Sequence, residues 1–361
     1  MSIWGAMHGY VFWRLATVPG VAGNLPHAAL ATAAVVLWLS YLIGRTLDSH
    51  GHRTLARIME PATTAWIGLL FIWFSLLLMV DVVTLGGYLL PEIAPILRGG
   101  ATLLGLSMAC VGTVAALLPP TVRQTDVPLP GLPANLDGTT LVLISDLHLG
   151  SLLGVRWLNR LVAQINELKP DFVVVAGDVA DHDFSRVAAL LPSLRKLRAP
   201  HGVWAVTGNH DAYAGLSRMQ NLLRSAGFNV LNDTAVEVLP GLKLAGVDDL
   251  SVPRPETEDP TDAIDNVLDQ TSGSAAILLS HTPDGIERAI QNGAGLMLSG
   301  HTHGGQIWPF NFLVRTRYKY VGGRYDLGRM TLIVCRGTGT WGPRMRIWKP
   351  SELWKIHLRT V

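Results

Sequence analysis

Five short stretches of the sequence carry aspartate, asparagine and histidine, which are residue types that bind metal ions. They read S-D-L-H-L-G, A-G-D-V-A-D, T-G-N-H-D, L-S-H-T-P-D and S-G-H-T-H-G-G-Q. Each follows a short apolar run of the kind that forms a buried strand. One such stretch is an ordinary loop, but five strand ends would gather these groups at one sheet edge, where their desolvation needs a partner. We therefore expect a metal centre with the candidate ligands Asp146, His148, Asp178, Asn209, His281, His301 and His303.

The donor set restricts the metal. Carboxylate, imidazole and amide oxygen without thiolate suit Mn, Fe, Zn or Co, and we favour Mn. Seven candidates exceed the ligands that one ion can hold, so the prediction is two divalent ions that share a bridging carboxylate. With only two cysteines, Cys110 and Cys335, the chain has no disulfide framework.

The elements that must position these residues follow an alternating pattern. Apolar runs at 141–145, 172–176, 203–207, 242–247, 276–280, 296–299 and 331–335 predict strands. Stretches near 155–168, 184–198, 215–226, 262–269 and 284–292 have the spacing of helices. This alternation predicts an α/β domain whose sheet is buried on both faces.

The first third of the chain has a different composition. Of 56 charged residues, 29 basic and 27 acidic, only nine lie in residues 1–120. Segments 28–44, 62–80 and 101–118 are uncharged, lack a polar face and are long enough to cross a bilayer. We expect these to be transmembrane helices, with residues 1–18 as a short or partial span. Residues 121–138 are rich in Pro and Gly and predict a linker to a soluble domain at 139–361.

Basic residues in the short loops predict the orientation. The loop at 45–61 has Arg45, Arg53 and Arg57, whereas the loop at 81–100 has only Arg98. The first loop is therefore expected in the cytoplasm. This predicts a multi-pass protein of the cell (inner) membrane whose soluble domain is cytoplasmic.

The ordered set D-x-H, G-D, G-N-H-D, H and G-H-T-H resembles the calcineurin-like metallophosphoesterase superfamily over residues 139–361. The apolar spans and the G-H-T-H-G-G-Q stretch resemble its bacterial membrane-anchored branch. The resemblance implies a four-layer α-β-β-α sandwich behind the transmembrane region. It also implies one ion held by Asp146, His148 and His303, a second held by Asn209, His281 and His301, and a bridging Asp178.

The same resemblance implies the catalytic residues and the reaction. His210 would face the scissile phosphate without binding metal, and Asp211 would orient its ring. The protein would hydrolyse a phosphodiester or pyrophosphate bond by metal-activated hydroxide, and its membrane location favours a lipid-linked substrate. Two alternatives stay open: a phosphomonoesterase acting on a soluble or protein phosphate, and a non-catalytic metal-binding membrane scaffold. The basic segment has no dedicated nucleic-acid module.

Several residues near these motifs keep two interpretations. Residues 181–183 and 248–249 either tune the site or form solvated loops. Residues 311–361 carry 11 basic and 2 acidic residues, and these cations bind either substrate phosphate or lipid headgroups. The apolar run from Ile307 to Phe312 forms either a lip beside the ions or part of a core.

Overall fold

The computed structural model describes residues 2–50, 52–150, 152–252 and 259–361, and the chain divides into two compact units. The helical unit consists of Met1–Leu118, Ile307–Pro309 and Gly342–Trp348. The α/β unit consists of Pro119–Gln306, Phe310–Trp341 and Lys349–Val361. The side chains of Arg45, Arg53 and Arg57, on which the predicted orientation depends, lie outside the described part.

Long apolar helices make up the helical unit. In its described part the helices are α1 (Ser2–Leu15), α2 (His27–Ser49), α3 (Arg53–Thr84) and α4 (Ala94–Leu117). Three stretches are long and apolar enough to cross a membrane, namely His27–Gly44, Thr54–Gly87 and Ala94–Leu117. They overlap the three predicted spans. The 14 residues of α1 extend about 21 Å, less than the roughly 30 Å of a bilayer core, as expected for a short segment.

The core of the helical unit is apolar and includes residues from late in the chain. Leu70, Ile72 and Leu77 of α3 are buried in it, as is Val11 of α1. Ile307 belongs to the same core. The run that begins at Ile307 therefore starts as core packing, which was one of its two interpretations.

Charged side chains meet inside this unit around Asp81 of α3. Its Oδ1 accepts hydrogen bonds from Nε of Arg98 at 3.0 Å and from Nη2 of Arg98 at 2.8 Å. Its Oδ2 accepts a hydrogen bond from the hydroxyl of Tyr10 at 2.6 Å and lies 2.5 Å from Nε of Arg14. Buried charges are tolerated only when they are paired and hydrogen-bonded. Asp81 thus ties α1, α3 and α4 together.

Two six-stranded mixed sheets form the α/β unit. The strands are β1 (Thr121–Pro128), β2 (Thr140–Ile144), β3 (Phe172–Ala176), β4 (Val203–Val206), β5 (Phe228–Val230), β6 (Thr234–Leu239), β7 (Leu242–Gly246), β8 (Ala275–Leu279), β9 (Leu296–Ser299), β10 (Gly323–Leu327), β11 (Met330–Val334) and β12 (Glu352–Arg359). The first sheet has the order β1-β12-β2-β3-β4-β5 and the second β10-β11-β9-β8-β7-β6. The helices are α5 (Val155–Glu167), α6 (Phe184–Ala188), α7 (Leu191–Leu194), α8 (Asn209–Tyr213), α9 (Leu216–Ser225), α10 (Asp262–Asp269), α11 (Ile286–Gln291) and α12 (Phe310–Arg317).

Alternating side chains divide the α/β unit into four layers. Leu141 and Leu143 of β2 lie in one core with Ile277 of β8, so this core lies between the sheets. Val142 of β2 faces the opposite way, into a core with α5 and α9. Leu278 of β8 likewise faces a third core with α10 and α11. Because successive side chains of a strand point to opposite faces, both sheets are covered on both sides, and the predicted α-β-β-α sandwich is confirmed.

The structure differs from the prediction at one edge of the first sheet. Residues 121–138 were expected as a linker, yet Thr121–Pro128 form β1 and pair in parallel with β12. Only Val127 of β1 is buried. The segment therefore lacks the apolar pattern of a core strand, and it becomes a strand because its partner arrives from the far end of the chain.

The Asp81 cluster yields a stability prediction. Asp81→Ala leaves the buried guanidinium of Arg98 without its counter-charge, so we expect the helical unit to lose about 3 to 5 kcal/mol of unfolding free energy. Unfolding of the detergent-solubilised chain, followed by helical circular dichroism, measures the loss. Glu92→Ala, which removes an exposed carboxylate of the same unit, is the control. Equal stability of the two variants would contradict the proposed role of Asp81.

Candidate metal centre

The predicted ligands follow the carboxyl ends of parallel strands in both sheets. Asp146 follows β2, Asp178 follows β3 and Asn209 follows β4, and these strands run parallel. His281 and His301 follow β8 and β9, which are also parallel. Parallel strands deliver their carboxyl ends to the same edge of a sheet. The expected convergence of these residues has a topological cause.

The backbone at this edge is strained. Five of the seven predicted ligands have φ between 43° and 67°, namely Asp146, His148, Asp178, His301 and His303. This left-handed region costs residues with a side chain about 1 kcal/mol or more each. Strain of this kind gathers at functional sites because the surrounding fold imposes it.

A first group of donor atoms comes from His148, His303 and Asp146. Nε2 of His148 lies 2.9 Å from Nε2 of His303, and Nε2 of His303 lies 3.4 Å from Oδ1 of Asp146. These residues are buried. Their three donor atoms can bind one metal ion.

A second group comes from His281, His301 and Asn209. Nδ1 of His301 lies 3.1 Å from Oδ1 of Asn209 and 3.3 Å from Nε2 of His281. Oδ2 of Asp178 lies 3.2 Å from Nε2 of His281 and 3.8 Å from Nε2 of His148. One carboxylate oxygen therefore adjoins both groups, as a bridging ligand would.

Hydrogen bonds to the main chain orient the ligands. Nδ1 of His281 lies 2.8 Å from the carbonyl of Ala176. A carbonyl can only accept, so this nitrogen carries the proton and Nε2 keeps its lone pair for a metal. The carboxylate of Asp146 accepts hydrogen bonds from the amide of His301 at 3.0 Å and the hydroxyl of Ser145 at 2.5 Å.

Burial shifts the pKa values of the centre. Burial lowers the pKa of His148 to about 4 and that of His301 to about 4, so both rings are neutral at pH 7 and can bind metal. Burial raises the pKa of Asp146 to about 7. Burial also acts to raise the pKa of Asp178, but attraction by His281, whose own pKa is raised well above its usual value by Asp178 despite burial, outweighs it and lowers that pKa. A nearby dication would stabilise the charged carboxylates that burial disfavours.

An unpaired oxygen supports the fit of metal ions at this place. Asp249, beyond the end of β7, is buried, and its Oδ2 has no hydrogen-bond partner among the described residues. That oxygen lies 3.8 Å from Nε2 of His281. A buried carboxylate oxygen that accepts no hydrogen bond is costly unless a cation is near. Of the two interpretations of residues 248–249, the structure favours a place at the centre for Asp249.

His210 lies beside the donor groups. Its Nδ1 is 2.7 Å from the carbonyl of Asp181, so Nδ1 is the protonated nitrogen and Nε2 remains for a substrate. The carboxylate of Asp211 instead accepts hydrogen bonds from the amides of Ala180 at 2.9 Å and Gly208 at 3.1 Å. The ring contact expected of Asp211 is therefore made by Asp181, and Asp211 braces the two loops that carry Asp178 and His210.

Aromatic side chains near the centre were not among the predicted site residues. Tyr213 and Trp341 lie 5.5 Å and 6.0 Å from the ring of His210. Tyr318 lies 5.4 Å from the ring of His301. Tyr213 is four residues beyond Asn209, so its helical spacing was a signal. Trp341 comes from a distant segment and carried none.

The late basic residues divide into separate groups. Arg336 pairs with the buried Glu352 at 2.7 Å, and Arg317 pairs with Asp284 at 3.1 Å. Arg346 is buried in the helical unit. These three cations are engaged by the protein itself, which argues against a primary role in binding phosphate.

Comparisons with known proteins identify relatives of this chain. The model of the family described as calcineurin-like phosphoesterase matches residues 139–305. A transmembrane protein with metallophosphoesterase domain from Danio rerio is 35% identical over 70% of this chain and 60% of its own length. An uncharacterized metallophosphoesterase from Aquifex aeolicus is 35% identical over 58% of this chain and 80% of its own length.

A solved structure is similar at lower identity. It is a dimetal phosphatase from Danio rerio, 17% identical, covering 55% of this chain and 88% of its own, with a TM-score of 0.38. The chain spans only 60% to 66% of the length of several relatives that it matches.

The shared oxygen of Asp178 yields a prediction about metal content. Asp178→Ala removes the carboxylate that adjoins both donor groups, so bound metal should fall from about two ions per chain to one or none. Elemental analysis of the purified chain measures this. Asp326→Ala, which removes an exposed carboxylate, should keep the full content. Two ions in the Asp178→Ala variant would exclude the bridging role.

Proposed function

This chain belongs to the calcineurin-like metallophosphoesterase family, and on that premise we propose that it hydrolyses a phosphodiester or pyrophosphate bond at the metal centre. The observation that carries the proposal is the position of Asp178 between two donor groups, with His210 beside them. The amide of His210 donates to Oδ1 of Asp178 at 2.9 Å, so the bridging residue also fixes the turn that presents His210.

Two ions would be held by seven residues: Asp146, His148 and His303 for the first, Asn209, His281 and His301 for the second, and Asp178 for both. When bound, such ions supply Lewis acidity, which lowers the pKa of water and neutralises charge on a phosphate. Oxygen and imidazole donors favour Mn, Fe, Zn or Co, and we keep Mn as the first choice. Burial raises the pKa of the Cys335 thiol to about 12, so this side chain provides no thiolate.

His210 would move a proton at the leaving oxygen. Because Nδ1 is held by the carbonyl of Asp181, Nε2 is the atom that faces a substrate. A protonated Nε2 can donate to the leaving oxygen as the bond to phosphorus breaks. Asp211 supports this step indirectly, since it braces the loops on both sides.

Membrane attachment supports a lipid-linked substrate. Three apolar helices are candidate spans. In the α/β unit, α12 exposes Phe312 and Leu313, and the exposed cations Arg315 and Lys319 lie on or just after it. Apolar and basic side chains on one short helix suit a lipid surface with anionic headgroups. With three spans, the loop before α3 and the segment after α4 lie on the same side, which we propose is the cytoplasm.

The choice of substrate is tested with the full chain in detergent and added Mn. We expect a higher kcat/KM for bis-p-nitrophenyl phosphate than for p-nitrophenyl phosphate, because the proposed substrate has phosphorus esterified on both sides. A phosphodiester lipid in mixed micelles should in turn exceed its short-chain soluble analogue. Preference for the monoester would favour the phosphomonoesterase alternative. Absence of all hydrolysis would favour the metal-binding scaffold.

Replacement of His210 separates catalysis from metal storage. His210→Asn keeps a hydrogen-bond donor but cannot protonate the leaving oxygen, so kcat for alkyl esters should fall about 100- to 10,000-fold. Nitrophenyl esters should lose less, because their leaving group hardly needs a proton. His201→Asn, at an exposed histidine of the same unit, is the control. Loss of metal from His210→Asn would make His210 a ligand and contradict this role.

A further inference from the structure

Gln306 in the G-H-T-H-G-G-Q stretch has no part in the metal centre, yet its side chain makes two main-chain contacts. Its Nε2 donates to the carbonyl of Trp341 at 2.7 Å, and its Oε1 accepts from the amide of Trp341 at 2.9 Å. Of the side chains of this length, only an amide offers a donor and an acceptor side by side. Gln306 therefore pins residue 341 to a loop that is 35 positions away in sequence.

The backbone of Gln306 is also strained to make this contact. Its φ is 42° in a residue that is not glycine, and it lies three positions after His303. Such a conformation persists only where the surrounding structure imposes it. The structure around Gln306 therefore fixes the position of the main chain at Trp341.

Trp341 is held in place but is not buried. Its exposed fraction is 44%, and its ring centroid lies 6.0 Å from that of His210 at an interplanar angle of 74°. Tyr213 is 68% exposed and lies 5.5 Å from the same ring. Large aromatic side chains that are rigidly placed and left in solvent beside a reactive group are typical of binding sites.

The two rings reach His210 from different parts of the chain. Tyr213 ends α8, the short helix that also carries Asn209 and His210, whereas Trp341 depends on Gln306. His182 adds a third ring, 4.6 Å from His210 and 6.3 Å from Tyr213. The second donor group has no comparable exposed ring at Tyr318. This side chain, beside His301, is only partly exposed, and the guanidinium of Arg317 lies over its face at 4.6 Å.

We propose that Trp341 and Tyr213 form a subsite for a planar aromatic group on the leaving-group side of the substrate, and that Gln306 is the positioning residue that holds Trp341 there. The inference rests on the proposed phosphoester hydrolysis, in which His210 protonates the leaving oxygen. A group attached to that oxygen passes beside the rings that flank His210. Stacking on Trp and Tyr favours a planar ring over a saturated one of equal size.

The test compares two diesters of methyl phosphate with the full chain and Mn, one with benzyl alcohol and one with cyclohexylmethanol. These leaving alcohols are similar in size and basicity but differ in planarity. We expect the wild type to prefer the benzyl ester in kcat/KM. In Trp341→Leu and in Tyr213→Leu the benzyl-to-cyclohexylmethyl ratio should fall about 5- to 150-fold, the range that corresponds to loss of one base–aromatic stacking partner. Trp341→Phe, which keeps a planar ring, should retain most of the ratio.

Gln306→Glu tests the positioning role. A carboxylate cannot donate to the carbonyl of residue 341, so this variant should lower the ratio as Trp341→Leu does, mainly through KM. Combined with Trp341→Leu it should add little, since Gln306 is proposed to act through the ring that Trp341→Leu already removes. Additive losses would indicate that Gln306 acts elsewhere. Trp348→Leu, at a tryptophan that is 81% exposed, is the control and should leave the ratio unchanged.

The outcomes separate this inference from the proposed function. Hydrolysis of both diesters with a ratio that is equal in wild type, Trp341→Leu and Tyr213→Leu overturns the subsite and leaves the phosphoesterase function intact. Absence of hydrolysis in the wild type overturns both. A nucleoside 5′-methylphosphate serves as a third substrate. A higher kcat/KM for it than for the benzyl ester would identify a nucleobase, and not a simple aryl group, as the natural occupant.

Discussion

Oδ2 of Asp178 lies within 4 Å of Nε2 of His148, which follows a strand of the first sheet, and of Nε2 of His281, which follows a strand of the second. This contact governs the centre, because a buried carboxylate and the histidines around it are stable together only if their charges are compensated. Burial alone would raise the pKa of Asp178, and attraction by His281 reverses that effect. The unpaired oxygen of the nearby Asp249 adds to the negative charge there. Divalent cations fit this balance better than protons do, since two ions can satisfy donor groups from both sheets at once.

The same requirement explains the strained loops. A strand that ends in an ordinary turn would direct its polar residues to solvent, whereas the left-handed residues at the ends of β2, β3 and β9 return them to the shared edge. Asp211 stabilises this arrangement by accepting hydrogen bonds from amides of the loops that follow β3 and β4. Three apolar cores between the four layers supply the rigidity that makes such strain tolerable.

The helical unit solves a related problem without metal. Asp81 is compensated by Arg98 at Oδ1 and by Arg14 at Oδ2, and Tyr10 also donates to Oδ2. Here the charged partners are side chains of the protein itself, so the cluster is structural and joins three helices. At the metal centre His148 and His301 are neutral donors, attraction by Asp178 outweighs burial and raises the pKa of His281, and one nitrogen of His210 is committed to the carbonyl of Asp181. A structural cluster thus has its charges paired within the protein, whereas a reactive centre keeps donor atoms available for a ligand.

The sequence alone predicted the donor residues that the structure brings together, the alternation of strands and helices, and the apolar spans, because each follows from local spacing: polar residues after apolar runs, and uncharged stretches of membrane length. Tertiary structure decided what depends on distant partners. The polar segment Thr121–Pro128 became a strand only through β12, and Ile307 joined a core made mostly of residues before 118. The ring of His210 found Asp181 instead of its neighbour Asp211, because adjacent side chains on a turn diverge while the β3 loop faces it. Trp341 reached the centre through Gln306 across 35 positions, a pairing that no local pattern encodes, since it requires the two segments to be brought together by the completed sheets.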